Sequence, residues 1–240
     1  MVFTGETFTA SDGAKFKLIK SPFCRFCHSP LDPKEHYWRC LTCHNVEAKL
    51  HIQYSFDQAR AAGVYSKVRK NASSTYVLRN KRDRSVAPIL AEPMAYVIRQ
   101  YAPHYTLVDL VAAVPKTPEK LAAKGFNQAE EIAKALGRLV GLPLASDLLA
   151  QVKEPPESQH RVPEFLDRFE NIKGCFESGI VPEWAESVLL VDDTYTTGAT
   201  VNECARVLKA GGVKRVFVMC AARGVMVSEK TGYLEEYFDD

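Results

Sequence analysis

The feature that most constrains this chain is the run Val188-Leu189-Leu190-Val191-Asp192-Asp193-Thr194-Tyr195-Thr196-Thr197-Gly198-Ala199-Thr200. Four consecutive apolar residues suit a strand buried on both faces, and such strands belong to parallel sheets covered by helices. Two acids, a Thr/Gly turn and an amphipathic segment closing at Gly211 and Gly212 then read as strand, loop, helix. A helix N-terminus has N–H groups without internal partners and the positive end of the helix dipole. A loop that brings small hydroxylated residues and a glycine there is suited to surround a phosphate. Thr196, Thr197 and Thr200 add hydroxyls, and Gly198 lets the backbone approach closely. Asp192 and Asp193 cannot bind phosphate; they suit the hydroxyls of an adjoining sugar or a hydrated magnesium ion. A plain turn with Thr as helix cap is the bland alternative, but stability alone does not call for all these residues in this order. No Gly-x-x-x-x-Gly-Lys-Ser/Thr loop is present to suggest a Walker-type site.

The same pattern recurs along the chain. Leu107 to Val114 is apolar save for Asp109 and stops at Pro115, as a buried strand would. A helix starting near Asn127 puts Ala129, Ile132, Ala133, Leu136, Leu139 and Val140 on one stripe and closes at Gly141 and Pro143. Ser85 to Tyr101 reads as a helix interrupted by Pro88 and Pro93, and Arg215 to Ala221 as a further strand. Strands alternating with helices predict a parallel α/β sheet whose ligands bind at the carboxyl ends of the strands. Pro115, Lys116 and Thr117 follow one strand and Lys124 precedes a helix, where a second anionic group would need holding. The polar stretch from Lys153 to Asn171, with Gln159, Arg161 and Arg168, reads as a mobile functional loop. Each of these charges taken alone is equally well an ordinary surface residue.

Cys24-Arg-Phe-Cys27 and Cys40-Leu-Thr-Cys43 have the spacing at which two tight turns converge on one tetrahedral ion, and four thiolates favour structural zinc. A redox Cys-x-x-Cys is the competitor and lacks a thioredoxin-like context. Cys175, Cys204 and Cys220 sit in or near apolar runs, and His28, His36 and His44 read as bystanders. With 240 residues, 46% hydrophobic and 25% charged, the chain has the size and composition of a globular protein with one ordinary domain and a small attachment. We expect a loosely held lead-in over residues 1 to 20, a metal unit completing a region 1–50, and a ligand-binding domain over 51–240. No apolar run approaches a membrane span and the N-terminus lacks a secretion signal, which predicts a cytoplasmic protein without membrane insertion. A formal net charge of +2 does not predict nucleic-acid binding for the whole molecule. Locally, Arg60, Lys67, Arg69, Lys70, Arg79, Lys81, Arg82 and Arg84 stand against the single acid Asp83, a candidate basic patch that reads equally as a solvated face.

The run from Val188 to Thr200 resembles the phosphoribosyl-pyrophosphate signature of type I phosphoribosyltransferases. The whole chain resembles the ComF family, competence-associated phosphoribosyltransferase-like proteins, through the paired cysteines, the Val114-Pro115 strand end, Gly125-Phe126-Asn127-Gln128, Lys173-Gly174-Cys175-Phe176 and the Asp-Asp loop. That resemblance implies a parallel-sheet type I phosphoribosyltransferase fold with a small N-terminal zinc ribbon. It implies that Asp192 and Asp193 contact ribose hydroxyls, with Thr194 beside them, and that Thr196, Thr197, Gly198, Ala199 and Thr200 hold the 5-phosphate. Pro115, Lys116, Thr117, Lys124, Arg161 and Arg168 would meet the pyrophosphate. Zinc and, with the ligand, magnesium are the implied cofactors. Several purine-salvage members carry an acid where this chain has Thr196, which speaks against purine salvage. Two functions follow from the resemblance: a phosphoribosyltransferase associated with DNA uptake, or a non-catalytic sensor of a phosphoribosyl ligand that engages single-stranded DNA or an uptake partner through the zinc ribbon and the basic segment.

Overall fold

The computed structural model describes residues 7–34, 39–50, 53–157, 167–225 and 229–238. It opens with an antiparallel hairpin, β1 (Thr7–Thr9) and β2 (Lys15–Lys17). Phe16 and Leu18 are buried and Leu18 bridges to Gly63, so this segment is packed and is not the loose lead-in its polarity suggested. Alternation over a few residues is enough: Phe16 and Leu18 turn inward while Lys15 stays exposed. The cysteine-bearing region follows, ending in α1 (Leu41–Leu50), and then come β3 (Gln58–Tyr65), α2 (Ala72–Asn80) and α3 (Ala87–Tyr101). Next are β4 (Leu110–Ala113), α4 (Pro118–Lys124), α5 (Gln128–Val140) and β5 (Leu149–Gln151). The chain continues through α6 (Asp167–Ile172), β6 (Phe176–Ser178), β7 (Ser187–Tyr195), α7 (Ala199–Ala210) and β8 (Arg215–Gly224), and a 3-10 segment spans Glu229–Tyr237.

The central sheet has the order β3-β8-β7-β4 with every neighbouring pair parallel, and β5 pairs with β6 as a separate antiparallel ribbon. Both faces of the sheet are covered. Leu189 and Val191 of β7 belong to one core with Leu90, Met94 and Ile98 of α3 and Ile132 and Leu136 of α5. Val188 and Leu190 belong to the other, with Cys204, Ala205 and Leu208 of α7 and with the cysteine unit. The expected α/β architecture, a parallel sheet with a small N-terminal cysteine unit, is the one observed. Two boundaries differ from the sequence reading. Residues Pro103–Leu107 wind into a 3-10 turn anchored by buried Tyr105, leaving Leu107 77% exposed, so β4 begins only at Leu110. Leu139 of the α5 stripe is partly exposed, because Ile132 and Leu136 already occupy the contact with the sheet.

β3 carries no strand signature in its sequence, since Gln-Ala-Arg-Ala-Ala has weak strand propensity and Arg60 reads as the first residue of a basic stretch. It is nonetheless buried along its length, with Ala59, Ala61, Ala62 and Val64 nearly inaccessible. A strand without bulky side chains lets other elements approach closely. At Gly63 an added Cβ would lie 2.1 Å from Ser73 Oγ, which seats α2 directly on the strand.

At the carboxyl end of β4, Asn127 links two elements. Its Oδ1 accepts from Ala129 N (3.1 Å) as the α5 N-cap, and its Nδ2 donates to Val114 O (2.9 Å). Replacing Asn127 by Ala removes the cap and leaves a buried carbonyl without its donor. We expect a loss of about 2 kcal/mol, read as a lower urea midpoint at unchanged m-value; an unshifted midpoint would refute this role.

Candidate phosphate loop and metal centre

β7 is longer than the apolar run alone suggested. It continues through Asp192, Asp193 and Thr194 to Tyr195, and its pairing with β8 persists to the register Tyr195–Arg223. The two acids are therefore held near the end of an interior strand. Asp193 is 9% exposed and Asp192 half-buried, with Asp193 N donating to Asp192 Oδ1 (2.8 Å). Burial, and then the neighbouring Asp193 carboxylate, push the Asp192 carboxyl well above its usual range.

The loop turns at Gly198, which has φ of 86° and caps α7. A Cβ there would lie 2.3 Å from the Tyr195 hydroxyl, so both the backbone angle and the close approach require glycine. Thr197 is buried and its Oγ1 accepts from Ala199 N (3.2 Å). The first backbone bond of the helix runs from Asn202 N to Gly198 O (2.8 Å). The N–H groups of Thr200 and Val201 precede that bond and have no acceptor within the helix. Thr196 is exposed and Thr200 half-buried, which leaves their hydroxyls at the mouth of the loop.

Across from the acids stand cations from separate elements. Lys116 is half-buried after β4; burial, and then the charge of Lys124, push its pKa down to about 8. Lys124 Nζ donates to Gln128 Oε1 (2.6 Å), and Gln128 Nε2 reaches Asp193 Oδ2 (3.4 Å). Gln128 thus ties Lys124 to Asp193, a part its place in the Gly-Phe-Asn-Gln segment does not reveal. Lys81, at the end of α2, is exposed, and its charge acts on both Asp192 and Lys124. Pro115 and Lys116 line a half-open cavity of about 200 Å³ with Leu121, Asn127, Glu130 and Gln151. Thr117 serves as the α4 N-cap, accepting from Lys120 N and donating to Glu154 Oε1 (2.6 Å), so its hydroxyl is already engaged.

The polar stretch after β5 is closed at its neck by Asn171, whose Oδ1 accepts from Glu157 N (3.0 Å) and whose Nδ2 donates to Glu157 O (2.7 Å). Gln159 and Arg161 lie outside the described residues. Arg168 is on α6, which packs against α7, and is half-buried there.

The four paired cysteines converge. Their sulfurs all lie within 4.8 Å of one another, with Cys27–Cys40 at 3.4 Å and Cys24–Cys43 at 3.9 Å, and all four are buried. Tetrahedral zinc with sulfur at its usual bond length sets its thiolates about 3.8 Å apart, so this set fits the ion. Cys24 and Cys27 sit on a tight turn closed by His28 N to Cys24 O (2.9 Å), and Cys40 and Cys43 open α1, where the helix dipole favours thiolates. Hydrogen bonds from Cys27, then Cys40 and Cys43, hold the Cys24 thiol well below its usual range. His28 is fully buried with Nδ1 on the Ala61 backbone, and burial, then the Arg60 charge, push it down to about 3. His44 is exposed, and His36 lies outside the described residues.

The candidate basic patch divides in two. Arg60 is only 6% exposed; its Nη1 donates to Arg25 O (3.1 Å) and its guanidinium lies 5.5 Å from the Phe23 ring centre, so it fastens the cysteine unit to β3 and is no part of a surface patch. Lys67 and Lys70 are exposed just past the carboxyl end of β3, on the rim that also carries the Asp-Asp loop, and Arg69 is paired with Glu235. Among the described residues no helix is long and apolar enough to cross a membrane.

No family model matches the chain. It is 27% identical over 212 residues to Competence protein F of Haemophilus influenzae, covering 86% of this chain and 87% of that protein. It is 28% identical over 158 residues to Competence protein ComFC of Streptococcus pneumoniae, covering 65% of this chain and 64% of that one. A shorter match, 31% over 117 residues, joins about half of the chain (49%) to half (50%) of DNA utilization protein YhgH of Salmonella typhi. Among solved structures, TT1426 from Thermus thermophilus aligns with 66% of this chain and 90% of its own at 15% identity and a TM-score of 0.34, too loose a likeness to argue from. The similarity in sequence to two competence proteins, one over most of both chains, supports the resemblance to the ComF family.

Proposed function

We propose that the chain binds 5-phosphoribosyl-1-pyrophosphate, or a related phosphoribosyl ligand, together with magnesium, through the domain spanning 51–240. The observation that carries this reading is the arrangement around Gly198: outward N–H groups at the start of α7, hydroxyls of Thr196 and Thr200 beside them, and an acid pair just before them on β7. The helix N-terminus takes the 5-phosphate. Asp192 and Asp193 take ribose hydroxyls or a hydrated cation, which would relieve the crowding of their charges. Lys116 and Lys124 face the pyrophosphate.

In a transfer reaction the nucleophile displaces pyrophosphate from the ribose C1, and magnesium bound with the ligand would neutralise the leaving group. This chain's own residues bind and orient: the loop fixes the phosphate end and the lysines the pyrophosphate end. Relatives named for competence and DNA utilization support a role in DNA uptake. A binding-only sensor that engages single-stranded DNA is the second reading, favoured by exposed Lys67, Lys70 and Lys81 on the same rim. Pyrophosphate release across a panel of bases and amines separates the two: turnover with some acceptor supports transfer, and tight binding without release supports the sensor.

Calorimetric titration with the pyrophosphate donor and magnesium tests the site itself. Wild type binds, while Thr197→Val and Asp193→Asn each weaken binding by about 2 kcal/mol, roughly thirtyfold; unchanged affinity in both variants rules the assignment out. The lysine pair gives this binding a pH dependence. Lys116 attracts the anion only when charged, so affinity falls as pH rises through about 8, by up to roughly tenfold per unit. Lys116→Arg, charged throughout, flattens the profile between pH 7 and 9; a profile equally steep in the variant removes Lys116 from the site.

We assign the cysteine cluster to one structural zinc held by Cys24, Cys27, Cys40 and Cys43. Metal analysis of the purified chain finds one zinc per molecule, and Cys43→Ser or a strong chelator costs several kcal/mol of stability. Full thermal stability of the metal-free chain would refute a structural role.

A further inference from the structure

Three successive backbone carbonyls of the phosphate loop are each held by a buried donor from a distant part of the chain. Arg223 Nη1 donates to Tyr195 O (3.0 Å) and Thr196 O (2.5 Å), and the Tyr54 hydroxyl donates to Thr197 O (3.0 Å). Arg223 is 2% exposed at the end of β8, and its guanidinium lies 4.7 Å from the centre of the Tyr195 ring. These peptide groups immediately precede Gly198, so their orientation sets the backbone angles that aim the first N–H groups of α7.

Both donors lead back to the cysteine unit. The Tyr54 ring is 5.0 Å from Phe26, the residue before Cys27, and 4.9 Å from Phe56. Phe26 stacks on Phe56 at 5.0 Å and 23°, and Phe56 meets the Tyr195 ring edge-on at 6.1 Å. Phe26 O also accepts from Ala59 N (2.8 Å), which fixes the Cys24–Cys27 turn to the sheet edge. Arg223 is a buried cation, and among the described residues no carboxylate forms an ion pair with it. Burial works against its charge, and the groups that favour that charge are Cys27, then Tyr195, then Cys40 and Cys43. Four thiolates around a divalent ion leave net negative charge, so the loaded centre supplies the counter-charge that a buried guanidinium requires.

We propose that Tyr54 and Arg223 are positioning residues through which the cysteine-bound metal sets the backbone of the phosphate loop, so that metal binding and phosphoribosyl-ligand binding strengthen one another. This inference rests on the ligand reading given above. The metal closes the Cys24–Cys27 turn, the turn holds Phe26 against Tyr54, and the Tyr54 hydroxyl holds Thr197 O. In parallel, the centre's charge keeps Arg223 in place on Tyr195 O and Thr196 O. Because coupling between two binding equilibria is reciprocal, the ligand must tighten the metal by the same factor that the metal tightens the ligand.

The test uses the zinc-loaded full chain and ribose 5-phosphate, which occupies the phosphate loop without pyrophosphate or magnesium. Calorimetry first establishes that ribose 5-phosphate binds wild type. Zinc affinity is then measured by competition with a chromophoric chelator, with and without saturating ribose 5-phosphate. We expect the ligand to tighten zinc in wild type on the order of tenfold, and Tyr54→Phe, which keeps the ring and its stacking, to lose most of that shift. Arg223→Lys, which keeps a charge but loses the planar fork, is the second variant and is expected to behave alike. Wild-type zinc affinity unmoved by bound ribose 5-phosphate, or a shift undiminished in both variants, overturns the coupling while leaving the ligand reading intact. Absence of any ribose 5-phosphate or donor binding to wild type removes the ligand reading and the coupling together.

Discussion

The arrangement of the site depends on β7 being an interior strand. It has a parallel neighbour on each side and a helical layer on each face, so Val188 to Val191 have no alternative to full burial. With that stretch immobile, Asp192 and Asp193 are delivered to a fixed place at the strand's carboxyl end. Alternation sends the two carboxylates to opposite sides of the strand. Asp193 continues the face of Val191 and reaches Gln128 of α5, while Asp192 continues the face of Leu190, under α7.

Around that strand end the charges are grouped by sign, and each group is held by a separate element. The acids come from β7, and Lys81, Lys116 and Lys124 come from the ends of α2, β4 and α4. Partial burial makes such a site responsive. A half-buried lysine beside another lysine gives up its proton more readily, and a half-buried acid beside another acid takes one up more readily. A ligand carrying anionic groups at both ends of a hydroxylated ring, with a divalent cation, would relieve both strains.

The cysteine unit is more than an appendage in this structure. It covers the open edge of β3, which would otherwise present unpaired strand groups to solvent. Arg25 O accepts from Gln58 Nε2 and from Arg60 Nη1, Phe26 O accepts from Ala59 N, and His28 sits on the Ala61 backbone. An alanine-rich strand has little side chain of its own to pack, and the aromatic residues Phe23, Phe26, Tyr54 and Phe56 fill that space instead. The same aromatic group reaches the underside of the phosphate loop through Tyr195, which brings the two units into one core.

The sequence by itself determined the elements whose signals are local. The apolar run before Asp192, the helix capped by Asn127 and Gly141, the glycine at 198 and the two Cys-x-x-Cys pairs were all readable, because each depends on a short-range pattern or on the chemistry of a few adjacent residues. The tertiary structure alone decided what depends on long-range packing. It turned residues 7–17 into a hairpin seated by buried Phe16 and Gln58–Tyr65 into an edge strand, and it took Arg60 out of the basic patch and set it between a backbone carbonyl and an aromatic ring. It also placed Gln128 between a lysine and an acid, and Arg223 and Tyr54 behind the loop carbonyls. Those roles follow from neighbours far away along the chain, and no local pattern records them: an arginine bonded to carbonyls in a core and an arginine in water are the same letter until the fold brings their partners together.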